Sequence, residues 1–120
     1  MSKKTLVIGA SENPERFAYK AVKSLLGKGY EVVAEGLRLG KIDSVFISNE
    51  KKFYEDIDTI TLYVGPKNQA SWYEYIVSLN PKRIILNPGT ESEELKTLAK
   101  ENNIQVEEAC TLVMLSIGNY

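Results

Sequence analysis

Arg16, Lys20 and Lys23 stand four and three residues apart, just beyond the small-residue run Gly9-Ala10-Ser11. On a helix this spacing places three positive charges along one side. Arg16 falls in about the first turn. There a guanidinium can reach an anion seated on the unpaired N–H groups and positive dipole end of the helix. Lys23 is a full turn further on and reads as a solvated charge. Arg38 and Lys41 follow the second predicted strand as another basic group. A ligand carrying a pyrophosphate and a further phosphate would use both groups, and a merely solvated basic face is the competing explanation.

Other chemistry is thinly supplied. The chain contains no histidine and one cysteine, Cys110. Histidine-based nucleophilic triads, histidine acid–base catalysis and the common zinc ligand sets are therefore absent. Carboxylates, lysine, tyrosine or Cys110 alone would have to carry a reaction, so no catalytic residue is nominated and binding is favoured over catalysis. Cys110 follows Glu107-Glu108-Ala109, whose carboxylates raise a thiol pKa while a following helix N-terminus lowers it. It reads as a small buried hydrophobe, with a mixed disulfide to a ligand thiol as the alternative. Glu91, Glu93 and Glu94 read as first-turn helix charges, and Trp72 and Tyr75 as core.

Short apolar runs alternate with stretches of helical period. Strands are predicted at Thr5–Ile8, Glu31–Glu35, near Val45–Ile47, and at Thr59–Val64, Arg83–Leu86 and Ile104–Val106. Helices are predicted from Pro14 to Lys28, Asn68 to Leu79, Ser92 to Asn102 and Thr111 to Ile117. Pro14 suits a first helical turn and Gly29 the position just past a helix end. Near-continuously apolar strands between helices call for a mainly parallel sheet covered on both faces. The expectation is one α/β domain over residues 1–120, Rossmann-like and doubly wound, with a five- to six-stranded sheet.

In such sheets ligands bind beyond the carboxyl ends of the strands, at the switch in strand order. The loops meeting there are Gly9–Asn13, Glu35–Arg38, Val64–Asn68, Asn87–Thr90 and Glu108–Thr111. The dinucleotide fingerprint matches only at Gly9, because Ser11 and Pro14 replace its later glycines. Glu35, ending the second strand, is either a grip for ribose hydroxyls or a solvated strand end. With 15 basic and 16 acidic residues, no global field attracts nucleic acid or an anionic membrane. The short apolar run after Lys3-Lys4 is no signal peptide, and no segment is long enough to span a bilayer. A lone cysteine fits a reducing cytoplasm.

Three segments carry a resemblance: Thr5-Leu6-Val7-Ile8-Gly9-Ala10-Ser11 with Pro14 and Arg16, Asn87-Pro88-Gly89-Thr90, and Glu107-Glu108-Ala109-Cys110-Thr111-Leu112-Val113-Met114-Leu115. Together they make the chain similar, over essentially its whole length, to the small CoA-binding domain proteins, relatives of the CoA-binding domain of the succinyl-CoA synthetase α-subunit. The last segment is the most specific.

The resemblance implies a Rossmann-like fold that binds coenzyme A or an acyl-CoA. It implies that Gly9, Ala10 and Ser11 meet the pyrophosphate, and Arg16 a phosphate with Lys20 nearby. Gly36, Leu37 and Arg38 would face the adenosine end. Val64, Pro66 and Asn68 would flank the adenine or pantetheine, and Asn87, Pro88 and Gly89 would line the pantetheine path. Relatives often carry Asn-Pro, or a neutral residue and glycine, where this chain has Glu35-Gly36. A carboxylate there would repel a 3′-phosphate unless Arg38 compensates. The synthetase's catalytic histidine has no counterpart, so its phosphoryl transfer is not inherited. An NAD(P)-linked oxidoreductase and a ligand-sensing regulatory domain remain the alternatives, with a homodimer or a protein partner left open.

Overall fold

The computed structural model describes residues 3–120. Its sheet is built outward from β1 (Thr5–Ile8), four residues with no exposed surface. β1 pairs in parallel with β2 (Val32–Glu35) on one side and β5 (Thr59–Leu62) on the other. Beyond β2 lie β4 (Val45–Ser48) and the edge strand β3 (Gly40–Ile42); beyond β5 lie β6 (Arg83–Leu86) and β7 (Gln105–Glu108). The order is β3-β4-β2-β1-β5-β6-β7, with only β3 antiparallel. Because chain order reverses at β1, a crevice opens at its carboxyl end.

Side chains alternate across the strands. Val7, Ala34 and Ile85 pack under α1 (Phe17–Gly27) and α4 (Thr111–Ile117). Leu6, Ile8, Ile60, Leu62, Ile84 and Leu86 pack under α2 (Tyr73–Leu79) and α3 (Glu93–Glu101). This is a doubly wound α/β fold with helices on both faces, and among the described residues no helix is long and apolar enough to cross a membrane.

The sheet has seven strands rather than five or six. The additional one is β3, which folds back on β4 through Asp43, a residue with φ of 52°. Three residues carry too little alternation to announce a strand. α1 begins at Phe17 instead of Pro14, because side chains hold the preceding segment as turns. Ser11 Oγ accepts the Asn13 N–H, and Asn13 Oδ1 accepts the Glu15 N–H. α2 begins at Tyr73, after two 3-10 turns at Pro66–Asn68 and Ala70–Trp72. Between them the buried Gln69 amide donates to the carbonyls of Val64 and Thr90, a tertiary demand that outweighs helical periodicity. α3 starts as expected, with Ser92 Oγ accepting the Leu95 N–H.

The connection from β4 to β5 crosses the end of the sheet without a helix. Glu35 anchors it. Its carboxylate is wholly buried and accepts the N–H groups of Lys51 (2.8 Å) and Lys52 (3.1 Å) and the Tyr54 hydroxyl (2.7 Å). Glu35 is thus neither a solvated strand end nor free to hold a ribose. Glu35→Ala strands three donors, and chemical denaturation should show a loss on the order of 3 kcal/mol.

Burial pushes the hydroxyls of Tyr54, Tyr63, Tyr75 and Tyr120 upward, Tyr63 to about 12. The fold therefore favours the neutral phenols. Above roughly pH 10 the unfolded chain, whose tyrosines titrate near their ordinary value, binds fewer protons than the native one. Stability should be unaffected by these groups below pH 9. It should fall as pH rises from about 10 through 12, as read by denaturant midpoints across that range.

Candidate ligand-binding site

The crevice at the switch point is a cleft of about 900 Å³, within the range of small-molecule sites. One wall is the β1–α1 loop. Gly9 sits at φ of 91°, and a Cβ there would lie 3.1 Å from the Tyr63 backbone. The Gly9 and Ala10 amides both donate to the Glu35 carbonyl oxygen, at 2.9 and 3.0 Å. These two residues therefore supply wall rather than donors to an anion. The donors lie further along. No side chain caps α1, whose first amides, those of Phe17, Ala18 and Tyr19, have no intrahelical partner. Phe17 and Ala18 line the cleft.

Arg16, at the N-cap of α1, also lines the cleft, as does Arg38 from the β2–β3 loop. Both are exposed, and neither is ion-paired among the described residues, although Glu12 and Glu15 share the cleft. Leu37 and Leu39 flank Arg38 with 86% and 69% of their surface exposed, so the rim there is apolar as well as basic. The opposite wall comes from Gly65 after β5 and from Pro88, Gly89 and Thr90 after β6, with Tyr63 between the walls. The Tyr63 hydroxyl is sealed from solvent and, among the described residues, has no partner within hydrogen-bond geometry.

Of the residues nominated from sequence, Gly9, Ala10, Ser11, Arg16, Leu37, Arg38, Pro88 and Gly89 line this cleft. Six do not. Lys20 is exposed on α1 with its ammonium 5.3 Å from the Phe17 ring centroid. Val64, Pro66 and Asn68, in the same loop as Gly65, are not part of the lining. Asn87 is buried and structural. Its amide nitrogen donates to Thr61 Oγ1 and the Leu62 carbonyl, and its oxygen accepts the Thr111 N–H, tying β5 and β6 to α4.

Gly36 lies beneath the wall, where its lack of a side chain lets the β1–α1 and β2–β3 loops touch. A Cβ there would meet the Ala10 carbonyl oxygen well inside contact distance. Lys41 turns its ammonium over Phe46, and Lys23 pairs with Asp43 at 2.9 Å, so both leave the cleft. Cys110 is half-buried at the start of α4 and is not part of the lining.

Sequence reasoning missed Glu12, Asn13, Glu15, Phe17 and Ala18 in the β1–α1 loop and the start of α1, Leu39 and Ile47 on the β2 side, and Tyr63, Gly65 and Thr90 on the β5 and β6 side. Gly65 and Thr90 lie in loops already singled out. Ile47 depended on the unforeseen hairpin. Among the described residues no cluster of histidine, cysteine, aspartate or glutamate side chains could hold a metal ion.

Doubly wound sheet, switch-point cleft and glycine-built loop define a Rossmann-like domain. The CoA-binding domain profile matches residues 3–116, and the chain belongs to that family. A crystal structure of an uncharacterized protein is 47% identical, covers 100% of this chain and 99% of its own, and superposes with a TM-score of 0.97. A conserved hypothetical protein from Pyrococcus furiosus is 26% identical over 88% of this chain and 91% of its own, with a TM-score of 0.77. The same fold, at 15% identity and a TM-score of 0.73, forms 25% of an acetyl-coenzyme A synthetase from Ca. Korarchaeum cryptofilum solved with phosphate and ADP, and covers 89% of this chain. No curated protein shows a significant sequence match.

The contact beneath the wall is directly testable. Gly36→Ala must push backbone against backbone and should cost about 1–3 kcal/mol in thermal or denaturant unfolding. Gly27→Ala, on α1 with nothing within 4 Å of its Cβ, should instead stabilise by roughly 0.5–1 kcal/mol.

Proposed function

We propose that the protein binds coenzyme A or an acyl-CoA in this cleft, and that binding rather than catalysis is its molecular activity. The observation that carries the reading is the pair of arginines, Arg16 and Arg38, without ion-pair partners among the described residues on a cleft that two carboxylates also line. Family membership supports the ligand class.

In this reading the pyrophosphate sits on the free amides of Phe17, Ala18 and Tyr19, with Arg16 alongside as a planar two-toothed donor. Arg38 takes the additional phosphate at the adenosine end, against the apolar flank of Leu37 and Leu39. The pantetheine arm runs toward Gly65, Pro88, Gly89 and Thr90, where glycine backbone lets a thin chain lie close. Glu35 does not oppose the 3′-phosphate, because its carboxylate is committed to the β4–β5 crossing. The same commitment withdraws the principal residue in favour of NAD.

Calorimetric titration with CoA, acetyl-CoA, NAD and NADP at one salt concentration tests the proposal. CoA should bind with a micromolar constant while NAD gives no heat. Arg16→Ala should lose roughly 1.5–3 kcal/mol of CoA affinity, about 10- to 150-fold. Saturable NAD binding without CoA binding would overturn the proposal. Unchanged CoA affinity in Arg16→Ala would remove Arg16 from the site.

A further inference from the structure

Glu12 is an anomaly in a cleft read as a phosphate site. Its exposed carboxylate stands on the same wall as Arg16 and Arg38, where it opposes a polyanion. Neither arginine neutralises it. It bonds backbone instead: Glu12 Oε2 accepts the Lys41 N–H at 2.8 Å, reaching from the β1–α1 loop to the edge strand β3. The adjoining residue is shaped for this contact. A Cβ at Gly40 would lie 2.6 Å from Glu12 Cγ and 2.7 Å from its Cδ, so a side chain at position 40 would displace that of Glu12 from this pose. Between Gly36, which must touch Ala10, and Gly40, which must touch Glu12, lie Leu37, Arg38 and Leu39. The two glycines pin both ends of that loop to the same wall.

We propose that Glu12 is a positioning residue, a latch that holds the β2–β3 loop closed and keeps Arg38 at the cleft for the phosphate at the adenosine end. This rests on the CoA reading above. The latch makes a charge tolerable that would otherwise only repel, because an ordered loop spares the ligand the entropy of arranging Arg38. A glutamine can accept the same N–H without the charge, so the two roles of Glu12 separate by sign.

Affinities of CoA and 3′-dephospho-CoA are measured for wild type, Glu12→Gln, Glu12→Ala and Gly40→Ala, with hydrogen exchange of the ligand-free proteins. Glu12→Gln keeps the latch and removes the repulsion, and should bind CoA at least as tightly as wild type. Glu12→Ala also removes the repulsion, yet should bind CoA about tenfold more weakly, with the preference for CoA over 3′-dephospho-CoA collapsing toward one. Gly40→Ala, which displaces Glu12 and alters no charge, should reproduce that collapse.

Equal tightening of CoA binding in Glu12→Ala and Glu12→Gln would show electrostatics alone and overturn the latch. A wild-type preference near one would remove Arg38 and with it the proposal. The Lys41 amide should exchange faster in Glu12→Ala, and identical exchange also overturns the latch. Wild-type protein that binds no CoA refutes the ligand reading itself, an outcome the exchange measurement keeps distinct.

Discussion

Glu35 accepts hydrogen bonds at both ends of itself, and the arrangement of the cleft depends on it. Its carbonyl oxygen takes the Gly9 and Ala10 amides, which turns the chain out of β1 and sets the wall of the cleft. Its carboxylate takes two amides and a tyrosine hydroxyl, which carries the chain from β4 back across the sheet to β5 without a helix. A buried charge is tolerable only when its acceptor sites are filled, and here they are filled by groups that themselves needed acceptors. The same residue therefore joins the strand order on one side of β1 to that on the other. Gly36 completes the joint by allowing two backbones to meet where any side chain would separate them.

The chain is close to electroneutral, with a formal net charge of −1, so recognition of an anion has to be local. Several basic side chains elsewhere are occupied. Lys23 meets Asp43, Lys96 meets Glu93 and Glu108, and Arg83 meets Glu107. Among the described residues Arg16 and Arg38 combine guanidinium groups outside any ion pair with a place on the cleft. The helix they accompany begins without a side-chain cap, the arrangement that leaves amides available to a ligand instead of to the protein. Folding contributes by what it leaves unsatisfied at this edge.

The parallel α/β plan was legible because it rests on period. Four-residue apolar runs such as Thr5–Ile8 and Arg83–Leu86, and the stripe Ala18, Ala21, Val22 and Leu25, can be buried in few ways. So was the edge of the sheet that would carry the cleft, since topology alone points there. The third helix also read correctly within a residue at each end, because its Ser92 cap is a local, self-contained bond. The hairpin β3–β4, the late start of α1 and the broken start of α2 were not legible. The hairpin and the broken α2 depend on partners distant in sequence, Lys41 on Glu12 and Gln69 on Thr90. The late start of α1 comes instead from short-range turns at Ser11 and Asn13 that compete with helical period.

The division runs through single residues. By itself the sequence determined that the protein is a doubly wound α/β domain with glycine-bearing loops at one edge, lacking histidine chemistry. Hydrophobic period and residue inventory need no coordinates. Only the tertiary structure decided that Glu35 turns inward to the β4–β5 crossing, that Asn87 is spent on Thr61, Leu62 and Thr111, and that Arg16 and Arg38 are left free. The reason is that a polar side chain's role is set by which donors and acceptors surround it. For Glu35 and Asn87 the neighbours are brought together by the fold from segments 16 to 26 positions away.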